Sequence, residues 1–469
     1  MRKFVYLVLF AVVWMKVITG VTGCANIIPP TGGPRDSLPP RLISATPKDS
    51  TLRFTGERIV FTFDEYIDLQ AISENLIVSP TLKNIVGVTA KLRTITVKIK
   101  DTLEANTTYS LNFGNSVRDV NENNILKNFT YVFSTGTFLD NRKFSGSVIV
   151  AETGKVDSTL TVMLHRSGVD SAVVKERPRY YARLDGAGHF TFRNLPAGQF
   201  YLYAVKSESG TPRYDSPEQL FAFADKPVVI ADSTPFQTLF AYAEPPEVKK
   251  STAGRTQTTA AKASTDKRLT FSTNLDGTRQ DLLDSFKLIF PNPLKVFDSA
   301  AILLTDINFQ PIKVRFLPDS LHQKFALKLQ WKPDSTYNLV LKKEFAEDSS
   351  GRKLLKSDTI TFKAKKESDY GNLKLRFPAL DLSRHPVLQF VQSDIVKQST
   401  PFTTKEFNKR LFPPGEYTLR ILYDVNQNGK WDYGSFFGTR RQPEVVVLIK
   451  KPIKVKGNWE NDEVVEVPK

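Results

Sequence analysis

Ile59-Val60-Phe61-Thr62-Phe63, Ile95-Thr96-Val97-Lys98-Ile99 and Tyr131-Val132-Phe133 set their largest apolar side chains at every second position. Alternation of this kind buries one face of a strand, whereas a helix repeats its apolar face every three to four residues. From residue 41 onward the same spacing recurs between clusters of Gly, Pro, Asn and Asp, the punctuation of short strands joined by tight turns. With 33 Phe and 15 Tyr the chain holds ample aromatic volume for strand cores, and the one helical hint is the short stretch 281–286. The reading is an all-β protein built of tandem β-sandwiches.

Two kinds of segment alternate. Residues 41–138 carry Thr108-Tyr109-Ser110-Leu111 between a strand beginning at Ile59 and a closing strand at Thr130-Tyr131-Val132-Phe133. Residues 269–367 carry Thr336-Tyr337-Asn338-Leu339 between a strand beginning at Phe286 and a closing strand at Thr359-Ile360-Thr361-Phe362, in the same order and nearly the same spacing. Residues 139–243 and 368–469 share a hairpin written Leu195-Pro196-Ala197-Gly198-Gln199-Phe200 in one and Phe412-Pro413-Pro414-Gly415-Glu416-Tyr417 in the other. Seventeen positions separate Gly198 from Asp215, and seventeen separate Gly415 from Asp432. The expected map is therefore four sandwiches, with a linker at 244–268 whose Thr, Ala, Ser and Lys residues have little to bury.

The start of the chain sets an expected compartment. Met1-Arg2-Lys3 is a positive head, Phe4 to Met15 is almost wholly apolar, and Val21-Thr22-Gly23-Cys24 ends in small residues before a cysteine. Lys16 interrupts the apolar run before the ~20 residues that a membrane span needs, so residues 1–23 read as a signal peptide. The segment resembles a lipobox, and Cys24 is the only cysteine among 469 residues. That resemblance implies cleavage before Cys24, a diacylglycerol on its thiol and an acyl chain such as palmitate on its new amino group. Residues 24–40, dense in Pro and Gly, read as a lipidated tether.

Val60-Phe61-Thr62-Phe63-Asp64-Glu65-Tyr66-Ile67, Leu103 to Tyr109 and Tyr131 to Gly136 resemble the bacterial Ig-like domain of S-layer (SbsA) type. The Pro-x-Gly hairpins resemble prealbumin-like or carboxypeptidase-regulatory-like sandwiches. With the lipobox and the Pro-Thr-Gly-Gly-Pro tether, the chain resembles a group of Bacteroidota envelope lipoproteins. Surface-displayed members carry an acidic run after the cysteine, and none follows Cys24, so the resemblance implies an outer-membrane anchor on the periplasmic face.

Composition narrows the chemistry. One Cys, 3 Met and 4 His leave too few ligands for zinc clusters, iron–sulfur sites or disulfide frameworks. Lys plus Arg exceeds Asp plus Glu by 65 to 49, but the excess is spread along the chain, which gives no support to a nucleic-acid partner. His165, His189, His322 and His385 have no triad or metal spacing, and Asp64-Glu65, adjacent on a strand, points to opposite faces. No catalytic constellation is expected, and no cofactor is required.

The sharpest local pattern is Asp424-Val425-Asn426-Gln427-Asn428-Gly429-Lys430-Trp431-Asp432. Oxygen side chains at Asp424, Asn426, Asn428 and Asp432, with the Lys430 carbonyl between them, match the start of an EF-hand-type calcium loop. Ser435 stands where the bidentate Glu belongs, so any calcium site is expected to be weak, and the alternative is an Asn/Asp-rich turn. Asp119-Val120-Asn121-Glu122-Asn123-Asn124 is a fainter echo. Trp431, Phe436, Phe437, Arg440 and Arg441 form an aromatic and basic tip that reads either as a platform for sugar or peptide or as a packed hairpin end. Ten Asp-Ser/Thr pairs precede a small or apolar residue, at Ser37, Ser50, Thr102, Ser158, Ser171, Ser233, Ser299, Ser320, Ser335 and Thr359. They resemble the O-glycosylation acceptor of Bacteroidota envelope proteins, where composition alone gives roughly two, and they read equally as turn starts.

The function expected is a non-enzymatic cell-envelope lipoprotein, a structural and interaction module held to the bilayer by Cys24. Its partner is an envelope protein or a glycan. The alternative is a carbohydrate- or peptidoglycan-binding accessory protein that uses the aromatic tip.

Overall fold

The computed structural model describes residues 2–19, 35–207, 212–245 and 268–468. Cys24, most of the tether and nearly all of the expected linker lie outside the described residues. Contacts divide the chain into two compact units, Met1–Asn141 with Asn194–Pro196, and Arg142–Arg193 with Ala197–Lys469.

In the first unit, residues Arg2–Thr19 form a helix. Among the described residues no helix is long and apolar enough to cross a membrane. The first sandwich follows. One sheet runs Leu42–Thr46, Arg58–Phe63, Thr94–Lys98, Gly87–Lys91, and the facing sheet runs Ile77–Ser79, Thr108–Asn112, Thr130–Ser134. Phe61 pairs with Ile95 and Leu111 with Tyr131, so the alternating residues read from the sequence meet in one core. Phe61 and Phe63 are fully buried, and Phe61 lies edge-on to Phe113 and Tyr131 at 5.7 and 5.1 Å, a favoured aromatic geometry.

The third sandwich, in the second unit, repeats that plan strand for strand. Ser272–Thr273, Phe286–Ile289, Lys324–Lys328 and Arg315–Pro318 form one sheet; Ile302–Asp306, Thr336–Leu341 and Asp358–Ala364 form the other. Two short additions, Arg279–Gln280 and Pro311–Ile312, widen the second sheet at its two edges. The expected helical hint at 281–286 is a turn. Asp281 Oδ1 accepts the Leu283 N–H at 2.8 Å and the Trp331 indole donates to the Asp284 carbonyl at 3.0 Å, so the backbone is held away from helix until the strand starts at Phe286.

The second and fourth sandwiches are likewise a matched pair. In each a three-stranded sheet holds a parallel pair made by the first and last strands: Arg142–Val150 with Gln237–Ala241, and Gly371–Arg376 with Glu460–Val464. In each the facing sheet centres on the strand that follows Pro-x-Gly, Gly198–Val205 in one and Gly415–Tyr423 in the other. Gly198 and Gly415 adopt φ of +148° and +153°, a region that side chains disfavour, which explains glycine at the same place in both hairpins.

Candidate functional site

The segment between strands Gly415–Tyr423 and Val445–Leu448 of the fourth sandwich gathers both the calcium-like loop and the aromatic tip. Asp424 is buried at 2% exposure, and its two carboxylate oxygens accept the N–H groups of Asn428 at 3.1 Å and Gly429 at 2.7 Å. Gly429 takes φ +76°, the left-handed turn that the loop needs. Asn426 and Asn428 both place their terminal amides 2.7 Å from Asp432 Oδ2. Lys430 N donates to Asn428 Oδ1 at 2.7 Å. The five residues singled out from the sequence thus lie in one loop.

Glu444 joins them, and sequence spacing missed it. Its carboxylate accepts the Val425 N–H at 2.8 Å and the Asp432 N–H at 3.1 Å, bracing both ends of the loop. Burial lifts its pKa above the ordinary glutamate value and the neighbouring Asp424 adds to this, against the pull of the loop N–H groups. Glu444 stands twelve residues beyond Asp432, just ahead of the returning strand, where a linear loop template cannot look. Among the described residues no group of three or more His, Cys, Asp or Glu side chains is placed to hold a metal ion.

The aromatic tip is a packed hairpin end at Phe436 and exposed at Phe437. Phe436 is fully buried, with ring centroids 5.7 Å from Tyr203, 5.0 Å from Phe221 and 5.2 Å from Phe223, all in the second sandwich. Phe437 stacks on Tyr214 at 5.8 Å, and the Trp431 indole donates to the Glu444 carbonyl at 2.7 Å. Arg440 pairs with Asp170 and Arg441 donates to the Tyr433 carbonyl at 2.9 Å. Phe436 is thereby withdrawn from any carbohydrate surface into the core of a neighbouring sandwich, whereas Phe437 stays 45% exposed beside the exposed Arg440 and Arg441.

In the first sandwich the fainter echo is a self-capped turn. Asp119 is buried at 1% exposure, and its carboxylate accepts the N–H groups of Glu122, Asn123 and Asn124 at 2.5, 3.0 and 2.6 Å. Burial alone raises such a carboxyl; here the loop amides outweigh it and hold Asp119 below the ordinary carboxylate range. Asp348 occupies the same place in the third sandwich and accepts from Ser350 and Arg352, each at 2.9 Å. Asp64 accepts the Arg41 N–H at 2.7 Å, which ties down the entering strand. Of the histidines, His189 meets Asp185 at 3.6 Å on an exposed hairpin, and His165 is buried in strand Thr161–His165.

The ten Asp-Ser/Thr positions share a setting. Eight of the hydroxyl residues are exposed and Ser171 and Ser335 are half-buried; all but Thr359 lie off the strands. At four of them the aspartate has a turn role: Asp36, Asp157 and Asp298 accept the N–H two residues on at 2.9, 3.0 and 2.9 Å, and Asp319 accepts those of Gln323 and Lys324 at 2.8 and 3.0 Å.

A comparison with curated proteins gives no match. Among solved structures, similarity is found to the Bacillus anthracis TIE protein, at 11% identity over 93% of this chain and 76% of that one, with a TM-score of 0.18. It is found also to BcpA, the major pilin subunit of Bacillus cereus, at 10% identity over 70% and 100% with a TM-score of 0.16. The N-terminal part of the S-layer protein SbsC matches at 13% identity over 44% of each chain, with a TM-score of 0.16. Superpositions this loose bear on neither the arrangement nor the role of this chain. Residues 36–135, which hold the whole first sandwich, match the family model of the bacterial Ig-like domain.

Proposed function

We propose that the chain is a non-enzymatic lipoprotein of the bacterial cell envelope, anchored in the outer membrane through acyl chains on Cys24. Its four sandwiches stand on the periplasmic side as spacer and interaction module. The observation that carries this reading is the chain's single thiol, in lipobox context ahead of a Pro/Gly tether and an Ig-like domain. The polar clusters behind it support the reading, because Asp119, Asp348, Asp424 and Glu444 are all engaged by the N–H groups of their own turns. Open strand edges such as Ile395–Pro401 offer the partner, an envelope protein or glycan, its contact. Cys24→Ala should abolish palmitate incorporation and leave an uncleaved or mislocalised precursor; unchanged incorporation overturns the anchor. Crosslinking in intact envelopes then identifies the partner.

A weak calcium site at Asp424, Asn426, Asn428, the Lys430 carbonyl and Asp432 is proposed alongside it. Two asparagine termini converge on one Asp432 oxygen, so a cation there would gain their oxygens only by turning both amides and giving up the bonds those oxygens accept from the Asn428 and Lys430 N–H groups, which also makes the site weak. With two carboxylates the expected dissociation constant is on the order of 10⁻⁴ to 10⁻³ M. Thermal melting of the full chain in calcium and in EDTA tests it, with Asp432→Ala as control. Equal melting temperatures leave only a self-capped turn.

A further inference from the structure

The second and fourth sandwiches are separated in sequence by the 244–268 segment and the entire third sandwich, yet they interlock. Three sets of contacts hold them. Phe436 enters the core of the second sandwich, and behind it Gly434 passes so close to Tyr242 that an added Cβ would lie 2.7 Å from the ring. Gln442 Nε2 donates to the Phe223 carbonyl at 3.0 Å and to Asp225 at 2.7 Å, covering the edge of strand Phe221–Phe223. On the other side Val446 N donates to the Ala151 carbonyl at 2.8 Å, and Gly154, at φ +66°, leaves no room for a side chain against Val446 and Leu448. Lys155 closes the contact on Asp394 at 2.5 Å, the carboxylate that also faces the buried Arg420 at 3.5 Å.

The two strands covered in this way, Phe221–Phe223 and Val445–Leu448, hold the same place in the two matched sheets. In the first of them Tyr242 of the same sandwich closes the edge at Phe221 and Gln442 caps the remaining Phe223 carbonyl, while the edge of Val445–Leu448 is covered by Ala151 and Gly154 of the second sandwich. A buried aromatic anchor ringed by polar contacts is how lasting protein–protein interfaces are built. We propose that the second and fourth sandwiches form a clasp that stays shut without the chain that joins them. The 244–268 segment and the third sandwich are then a closed side loop. Tension applied between the first sandwich and the C-terminus passes through the clasp, and the side loop is loaded only after the clasp opens.

The test places a site-specific protease site at residue 256 of the full chain, cuts it, and follows the two fragments by size-exclusion chromatography at micromolar concentration. The expected result is co-elution as one particle with the retention of the uncut chain; fragments that separate overturn the clasp. Phe436→Ala should separate the cut fragments. Should that variant fail to fold, Lys155→Glu, a charge reversal at a half-exposed position, should speed dissociation of the cut pair several-fold. Unchanged dissociation in both overturns the assignment of the contact to these residues. A dimer of the uncut chain by light scattering would place Phe436 in a neighbour's socket and overturn the closed loop.

Discussion

His165 shows how a single buried group ties the second sandwich to pH. It sits opposite Tyr201 in the sheet, 5.7 Å from the Tyr203 ring, and its Nε2 has no hydrogen-bond partner among the described residues. Burial without a partner disfavours the imidazolium and pushes the value down to about 4. The folded state therefore keeps His165 neutral while the unfolded chain protonates near 6.5. Stability is fully present above about pH 6.5, declines as pH falls toward 4, and loses nothing further from this group below that, a total of roughly 3 kcal/mol. Urea melts at pH 7 and pH 4.5 should show a larger loss for the wild type than for His165→Leu; equal losses count against a neutral buried imidazole. Tyr242 is a quieter case. Its hydroxyl, 1% exposed as a residue, also has no partner among the described residues, so Tyr242→Phe removes an unmet polar group. Stability should change by less than about 0.5 kcal/mol or rise. A loss above about 1 kcal/mol by urea melting would reveal a water or other partner on that oxygen.

At the scale of the element, alternation of large apolar residues is enough to place strands, because a half-buried strand leaves that pattern directly in the sequence. The strands read at Ile59, Thr108, Phe286, Thr336 and Thr359 stand within a residue of where they were expected. The parallel pairing of first and last strands in the second and fourth sandwiches left no such mark, since pairing partners far apart carry no local signal. The aromatic tip shows the same limit. Phe436 beside Arg440 reads alike whether the ring faces solvent or a neighbouring core, and only the packing of Tyr203, Phe221 and Phe223 decides between them. Glu444 was invisible because its role depends on a returning strand. The matched turns of the Ig-like sandwiches give an element-scale prediction. Asp119→Ala strips the acceptor from three loop amides in a buried place and should cost about 2 kcal/mol, with Asp119→Asn milder because one oxygen remains. Asp348→Ala should behave alike, whereas Asp319→Ala, whose hairpin carboxylate is only half-buried, should cost less. Urea melts of the four variants check the order, and equal losses at Asp119 and Asp319 would show that burial is not what makes the difference.

On the whole molecule, the ten Asp-Ser/Thr positions fall on the first three sandwiches and on the tether, with none in the fourth, and the structure buries none of their hydroxyl residues. A turn role explains the aspartate at Asp36, Asp157 and Asp298, where the carboxylate binds the N–H two residues ahead, and at Asp319, where it binds those of Gln323 and Lys324. It does not require the next residue to be exposed and off the strand, which is the setting that an enzyme needs to reach an acceptor oxygen. The acceptor reading predicts that protein taken from its native envelope is heavier than the lipidated polypeptide by repeated increments of one glycan mass. The same chain made in a host without that pathway should lack them. Ser158→Ala, at an exposed turn, should remove one increment and leave the fold intact, because its neighbours Asp157 and Thr159 bond each other at 2.6 Å without it. Ser335→Ala, at a half-buried turn, should remove less on average, since its hydroxyl is harder to reach. Intact mass spectrometry of the three proteins reads all of this directly. A native mass equal to that of the lipidated polypeptide would leave turn formation as the whole reason for the pattern.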